Sequence, residues 1–485
     1  MEHWLTANGD HRQLLDPETG LTRYRTSNAP RPGIPLGSCT ASWPSERGFA
    51  MGQSVLQRMR GLPDGHQAVE GECRRLRPRL RRVFEMDEGP AMVLAPSGTD
   101  AIYMVSAVLL ARPGIDSVHH IVVGASELGS GTVRASRGLT FSTHTPFGGE
   151  VAVGHPVAGL APRCTAEPAY LREEDGDEVT LEQIDAQVGA RAREVVAQGR
   201  AVLVHLVAHS KTGLRAPSLQ AMVALKQELG ERFHVMVDAA QGRINPADLR
   251  LALAQDFMVL WTGSKFYGGP PFSGLLVLPP ALASDPGPLP PGMAAWFSRA
   301  DLPAHWSSAR ASLPTESNPG LLLRWILALA EMEAYHEVPV VRRSRVYHTF
   351  AGAVVECFGA TPVLRLNLQR PPGHRLAGGL GAYPSVFSFA VLGPQGRLDS
   401  QQLRALYVDL DRDLSGRDPR LRTRFHLGQP VSLGPPDVDN ASVLRVALGA
   451  RLVTEHHAEP DAGAAWFRHR FTELRTQIEL LVEGV

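Results

Sequence analysis

The chain has 485 residues, with 49 basic and 49 acidic side chains and a formal net charge of zero, so charge gives no case for nucleic acid or an anionic membrane as main partner. Hydrophobic residues make up 44%, which suits globular cores in two or three units and excludes the disordered class. Four scattered cysteines, Cys39, Cys73, Cys164 and Cys357, have neither metal-site nor disulfide-framework spacing.

The opening stretch MEHWLTANGDHRQLLD has no basic or apolar leader region. No apolar run approaches the ~18 residues of a spanning helix, so a soluble cytoplasmic protein is expected. Residues 1–60 are rich in proline and serine and read as an irregular arm joining a small domain. From about residue 90, short apolar runs alternate with helical stretches: AMVLAPSG, HIVVGASE, AVLVHLVAH, FHVMVDAA, FMVLWTGS and SGLLVLPP. Runs this short and rich in Val, Leu and Ile suit strands of a sheet covered on both faces. Between them lie helices such as Ser218–Leu229, with Ser218 placed as the N-cap and Gly230 just past the end. This alternation predicts an α/β fold with right-handed crossovers. A loop-rich stretch after 285 leads into a long apolar helix, LLLRWILALAEMEAY. The remainder mixes helices with the runs SVFSFAVLG and VLRVALGA, and ends in an amphipathic helix carrying Trp466, Phe467, Phe471, Leu474 and Ile478. The domains expected are the arm at 1–60, a large domain at 61–335 and a small one at 336–485.

In open α/β sheets, ligands gather at the carboxyl ends of the strands. Three such ends carry groups that an apolar core does not ask for. After AMVLAP come Ser97, Gly98 and Thr99, and a helix begins at once; its free N–H groups make an anion site, or merely a capped start. In VDAAQG, Asp238 ends a hydrophobic strand, where a carboxylate needs a cation or several donors unless it only caps the next turn. In FMVLWTGSKFYGGP, Lys265 is either a solvated loop lysine or an amine in a partly dry pocket, nucleophilic toward carbonyls. An anion site, an aspartate and a lysine, each closing its own strand in that order, meet the needs of pyridoxal phosphate. The phosphate needs the helix start, the pyridine nitrogen needs the carboxylate, and the aldehyde needs the amine.

In these motifs the chain resembles the fold type I pyridoxal phosphate enzymes, in particular the class V aminotransferase and cysteine desulfurase group, over about residues 85–455. The resemblance implies a mixed, mostly parallel seven-stranded sheet in the large domain, a smaller α+β C-terminal domain, and a homodimer whose site is shared between subunits. It implies Asp238 on the ring nitrogen, Gln241 on the ring hydroxyl, Lys265 bonded to the aldehyde, and Thr262 and Ser264 joining Gly98 and Thr99 at the phosphate. AHSKTGLRAP resembles the group's Asn-x-x-Gly turn, with Ser210 where asparagine is usual. ESNPGLLLRWILAL resembles the segment that reaches the neighbouring subunit's phosphate, with Asn318 in place of threonine. SVLRVALGA is similar to the strand whose arginine, here Arg445, clamps the substrate carboxylate.

Three departures narrow the chemistry. In RFHLGQPV, Leu427 stands where a sulfur-accepting cysteine would be, which argues against persulfide formation. In ASELGSGT, Leu128 replaces the histidine that stacks on the ring, and the glycines after it read as room for a bulky substrate or second reactant. Lys211 and His209 flank Ser210, either as ordinary turn and strand-end residues or as groups facing substrate. The reading is an enzyme acting at the α-carbon of an amino acid, by elimination or replacement at the β or γ carbon in specialised biosynthesis. Amino transfer to a keto acid and a cofactor-binding regulator without turnover are the alternatives. TGSK superficially resembles a P-loop, but Phe266 follows the lysine where a magnesium-binding Ser or Thr is required.

Overall fold

The apolar runs lie side by side. The computed structural model describes residues 1–37, 42–174, 176–367, 385–433 and 442–483; Cys39 lies outside them. Its main sheet contains β1 (Ala91–Ala95), β2 (Val118–Val123), β3 (Cys164–Ala169), β4 (Ala201–Val207), β5 (Phe233–Ala239), β6 (Met258–Thr262) and β7 (Gly274–Leu278). Their spatial order is β1-β7-β6-β5-β4-β2-β3. Strands β2 to β6 pair in parallel, and β7 runs antiparallel to both of its neighbours. All but β3 are buried on both faces, as a sheet between helical layers requires. β3, CTAEPA, is one of the two edge strands, β1 being the other; its partial burial, with Glu167 and a proline, lacks the apolar density by which the other six were read.

Helices fill the crossovers. Residues 46–60 are not irregular: they form α1 (Glu46–Arg60), capped by Ser45 and burying Val55, Leu56 and Met59. Next come α2 (Gly65–Val83), α3 (Gly98–Leu110), α4 (Leu181–Ala197) and α5 (Leu219–Leu229). The Ser218 hydroxyl caps α5 at Ala221 N, and Gly230 beyond its end has φ 62°. The long apolar helix is α6 (Pro319–Glu337), buried almost all round, including Trp325 and the charged Arg324.

The C-terminal part holds an antiparallel sheet of β8 (Leu364–Asn367), β9 (Val386–Gly393), β10 (Gly428–Ser432) and β11 (Ser442–Ala447), in which β9 lies between β8 and β11, and β10 on the far side of β11. Three helices accompany it: α7 (Val340–Phe358), α8 (Ser400–Leu410) and α9 (Pro460–Glu483). On α9, Phe467, Phe471, Leu474 and Ile478 are buried, whereas Trp466 is half-buried and lies against the His456 ring. The N-terminal arm reaches this sheet. Ile34–Pro35 pairs in parallel with Phe425–His426, the Ala447 N–H donates to the Leu36 carbonyl, and Arg31 pairs with Asp411. Among the described residues, no helix is long and apolar enough to cross a membrane.

Candidate active site

Parallel pairing of β4, β5 and β6 brings three strand ends together. Asp238 is in register with Val207 on one side and Leu260 on the other. Beyond these ends lie the 208–214 turn, the 240–242 turn and the loop carrying Lys265. The buried carboxyl of Asp238 accepts one hydrogen bond, from Ala240 N at 3.0 Å. Burial raises its pKa, and the positive charge of Lys265 opposes that rise, as does the Ala240 N–H. Asp238 and Lys265 therefore feel one another across the same small space. Lys265 is half-buried; Gln241 beside it is buried, and its carbonyl accepts the Phe266 N–H at 3.3 Å.

The start of α3 closes the third side. Ser97 caps it, accepting from Asp100 N at 3.2 Å and donating to the Asp100 carboxyl at 2.6 Å. A Cβ on Gly98 would stand 3.1 Å from Leu260 Cδ2 and 3.3 Å from Thr262 Cγ2. Glycine there lets the helix start rest on the end of β6, with the N–H groups of Gly98 and Thr99 at its positive pole. Ser264 is buried two residues past the strand end. The Thr262 hydroxyl donates to the Ala240 carbonyl at 2.7 Å, so it ties two turns together rather than offering its proton to an anion.

The segment after β2 covers this space. Leu128 is buried, and a Cβ on Gly129 would lie 3.2 Å from Thr99 Oγ1. The glycine run does not leave an open chamber. A Cβ on Gly131 would stand 2.7 Å from Phe141 Cγ, so the chain's own aromatic ring takes that room. Phe141 in turn carries the Arg12 guanidinium 5.3 Å from its ring centre, and Phe272 carries it at 4.5 Å.

On the other side, Ser210 is fully buried and donates to Glu127, and the Lys211 carbonyl accepts from Arg445 Nη1 at 2.9 Å. Arg445, on β11, also donates to the Gln429 carbonyl at 3.1 Å, so it bridges the C-terminal sheet to the turn after β4. His209 meets another arginine: Arg215 Nη2 lies 3.0 Å from its Nε2. Burial, and then the charges of Arg215 and Arg243, hold its pKa well below the usual imidazole range, so it stays neutral. Asn318 caps α6 through Leu321 N at 2.8 Å and donates to the Asn8 carbonyl at 3.1 Å, so both ends of its amide are engaged within its own chain. Leu427 is fully buried, as are the thiols of Cys73, Cys164 and Cys357.

Sequence reading missed the group that organises this side. Glu127 is buried and paired with Arg172 at 2.8 Å, and Arg243 reaches the C-terminal part through Ser385 Oγ at 2.7 Å and the Leu448 carbonyl at 2.9 Å. Glu127 precedes Leu128 in the very segment that carries the resemblance, and that position was the only signal available.

No protein-family model and no curated protein sequence matches the chain. Solved structures do. It is similar to an apo cysteine desulfurase from Thermococcus onnurineus NA1, with a TM-score of 0.55 and 14% identity over 93% of this chain and 95% of the other. A NifS-like protein gives a TM-score of 0.54 at 12% identity, covering 92% of this chain and 99% of the other. The Oryza sativa TDC with PLP and tryptamine gives a TM-score of 0.54 at 12% identity, covering 95% and 85%. At these identities the similarity establishes the fold. The chain has the fold type I architecture expected from its motifs, with a mixed, mostly parallel seven-stranded sheet.

Proposed function

We propose that the chain is a pyridoxal phosphate enzyme acting at the α-carbon of an amino acid. The observation that carries this reading is that Asp238 ends β5 and Lys265 follows the end of β6, the strand paired with it, beside a helix start where glycine lets the chain pack closely on the end of β6. The donor set fits the cofactor. A buried carboxylate holding a single hydrogen bond suits a protonated ring nitrogen, which is the cation that burial makes it need. The N–H groups of Gly98 and Thr99, with the Ser264 hydroxyl, suit a phosphate, and Gln241 stands beside them for the ring hydroxyl.

Bound there, pyridoxal phosphate supplies an electron sink for the pair left at the α-carbon. Lys265 Nζ would hold the cofactor through its aldehyde and, as an amine at the mouth of the site, would serve as the base for the α-proton. The Asp238 carboxylate would hold the ring nitrogen and favour its protonated form. Arg445, its two Nη atoms also held by the Lys211 and Gln429 carbonyls, would receive the α-carboxylate and so set which bond at the α-carbon stands ready to break. Leu128 closes one face against water. A homodimer completes the site on this reading.

For the reaction type we propose elimination or replacement at the β or γ carbon. The support is chemical: with Leu427 at the desulfurase position and the described thiols buried, no persulfide acceptor is at hand. One observation favours amino transfer instead. Phe141 fills the space at Gly131, which leaves less room for a second reactant.

Adding pyridoxal phosphate to the purified protein should give a yellow band, and borohydride reduction should fix the cofactor to the peptide containing Lys265. Lys265→Ala should abolish that labelling. A protein that stays colourless, or that labels elsewhere, would overturn the proposal. With a panel of amino acids, ammonia released together with a keto acid marks elimination, whereas keto acid formed without ammonia marks amino transfer.

A further inference from the structure

Glu127 is a buried carboxylate beside the site for which the proposed chemistry has no use. Its Oε1 accepts from Arg172 Nε at 2.8 Å, and its Oε2 accepts from the hydroxyls of Ser210 and Thr212 and from Thr212 N at 3.3 Å. Its own carbonyl accepts the Lys211 N–H at 3.1 Å. Arg172 reinforces the arrangement by donating to Thr212 Oγ1 and to the Gly176 carbonyl, each at 3.1 Å. One residue thus holds all three members of the Ser210–Thr212 turn. That turn presents the Lys211 carbonyl to Arg445 Nη1 at 2.9 Å, while the Gln429 carbonyl takes Nη2 at 3.1 Å. On the remaining side lies Gly428, where a Cβ would stand 3.0 Å from both Nε and Nη2. The guanidinium thus touches two carbonyls and a bare glycine, and one of those carbonyls is held by Glu127.

We propose that Glu127 is a positioning residue for Arg445: through the Ser210–Thr212 turn it fixes the plane in which the guanidinium receives a carboxylate. The role given to Arg445 rests on the proposed function; the Glu127 network does not. A buried ion pair suits this task because its geometry tolerates little slack once the charges are out of water. Neutral Gln at 127 keeps the shape but loses the charge that binds Arg172, and Ala removes the anchor altogether.

The test compares two carbonyl-reactive amines acting on protein loaded with pyridoxal phosphate, followed by loss of the yellow band. Aminooxyacetate carries a carboxylate and methoxyamine does not, so the ratio of their rates reads how well a carboxylate is received. The wild type should prefer aminooxyacetate, and Arg445→Ala should lose the preference. Glu127→Ala should cut the preference by about ten- to a hundredfold, the scale on which a misplaced orienting group costs rate, with the methoxyamine rate unchanged. Glu127→Gln should fall between. Thr212→Val removes one hydroxyl and spares the ion pair. It should shift the ratio in the same direction by less, and it serves if Glu127→Ala is not recovered folded. In the protein without cofactor, amide hydrogen exchange at 210–212 should quicken in each Glu127 variant. An unchanged ratio in Glu127→Ala and in Thr212→Val would overturn the assignment, as would an equal fall with both amines or a wild type without preference. Failure of the wild type to form the band at all would instead overturn the proposed function.

Discussion

Arg172→Ala isolates what the Glu127 ion pair contributes to the fold. Glu127 has no side-chain exposure and Arg172 only 7%, so removing the arginine leaves a carboxylate without its cation and out of reach of water. Breaking a buried pair in this way costs about 3–5 kcal/mol. The hydroxyls of Ser210 and Thr212 and the Thr212 N–H still donate to Oε2, which places the loss at the lower end, about 3 kcal/mol. Unfolding entropy near 2.1 cal/mol/K per residue gives a chain of 485 residues about 1 kcal/mol/K, so the melting temperature should fall by about 3 °C. The assay is thermal unfolding of wild type, Arg172→Met, Glu127→Gln and the double variant at neutral pH, beside Arg172→Ala. The double variant buries no uncompensated charge, so it should lose clearly less than the two single losses added together, a coupling of about 0.5–3 kcal/mol. A drop below about 1 °C in Arg172→Ala, or strict additivity in the cycle, would refute the reasoning.

Burial raises the Asp100 carboxyl to about 7, against the Ser97 hydrogen bond and the charge of Arg12. Its ordinary value is 3.8, so its contribution to stability is complete below that pH and is lost as pH rises through 7. Asp100→Asn, neutral throughout, should be more stable than wild type at pH 8 and lose that advantage toward pH 4, as read by chemical denaturation. Gly131→Ala should cost about 1–3 kcal/mol by pushing on Phe141, and Phe141→Ala in the same chain should recover part of it; a neutral Gly131→Ala would show that the ring yields freely. Leu128→His should change turnover and substrate range; if both stay as they were, this residue does not shape the substrate space.

Much of the fold was legible because strands buried on both faces must be dense in Val, Leu and Ile, and six of the seven were. The exception, CTAEPA, lies at the sheet edge, where one face meets solvent and glutamate and proline are tolerated. α1 was read as irregular arm because its buried positions, Val55, Leu56 and Met59, are few and mixed with Gln, Arg and Ser. At the site, Asp238, Lys265 and the start of α3 could be read because each breaks a local pattern: a charge ending an apolar strand, or small residues opening a helix. Glu127 could not. In the sequence it is an ordinary polar residue after a strand, and its partner Arg172 is set by the pairing of β2 with β3, which no local pattern records. At Gly131 the glycine was legible, but not that Phe141 packs where its side chain would stand.

The union of Ile34–Pro35 with Phe425–His426, locked by Leu36 against Ala447, has a consequence for biosynthesis. The partners of this short ladder lie far downstream of the arm, so the ladder forms only after every strand of the large sheet has been made. A chain cut near residue 420 would lose this union while keeping the arm's hold on the large sheet's side, where Arg324 donates to the Leu5 carbonyl and Gln13 to the Pro271 carbonyl.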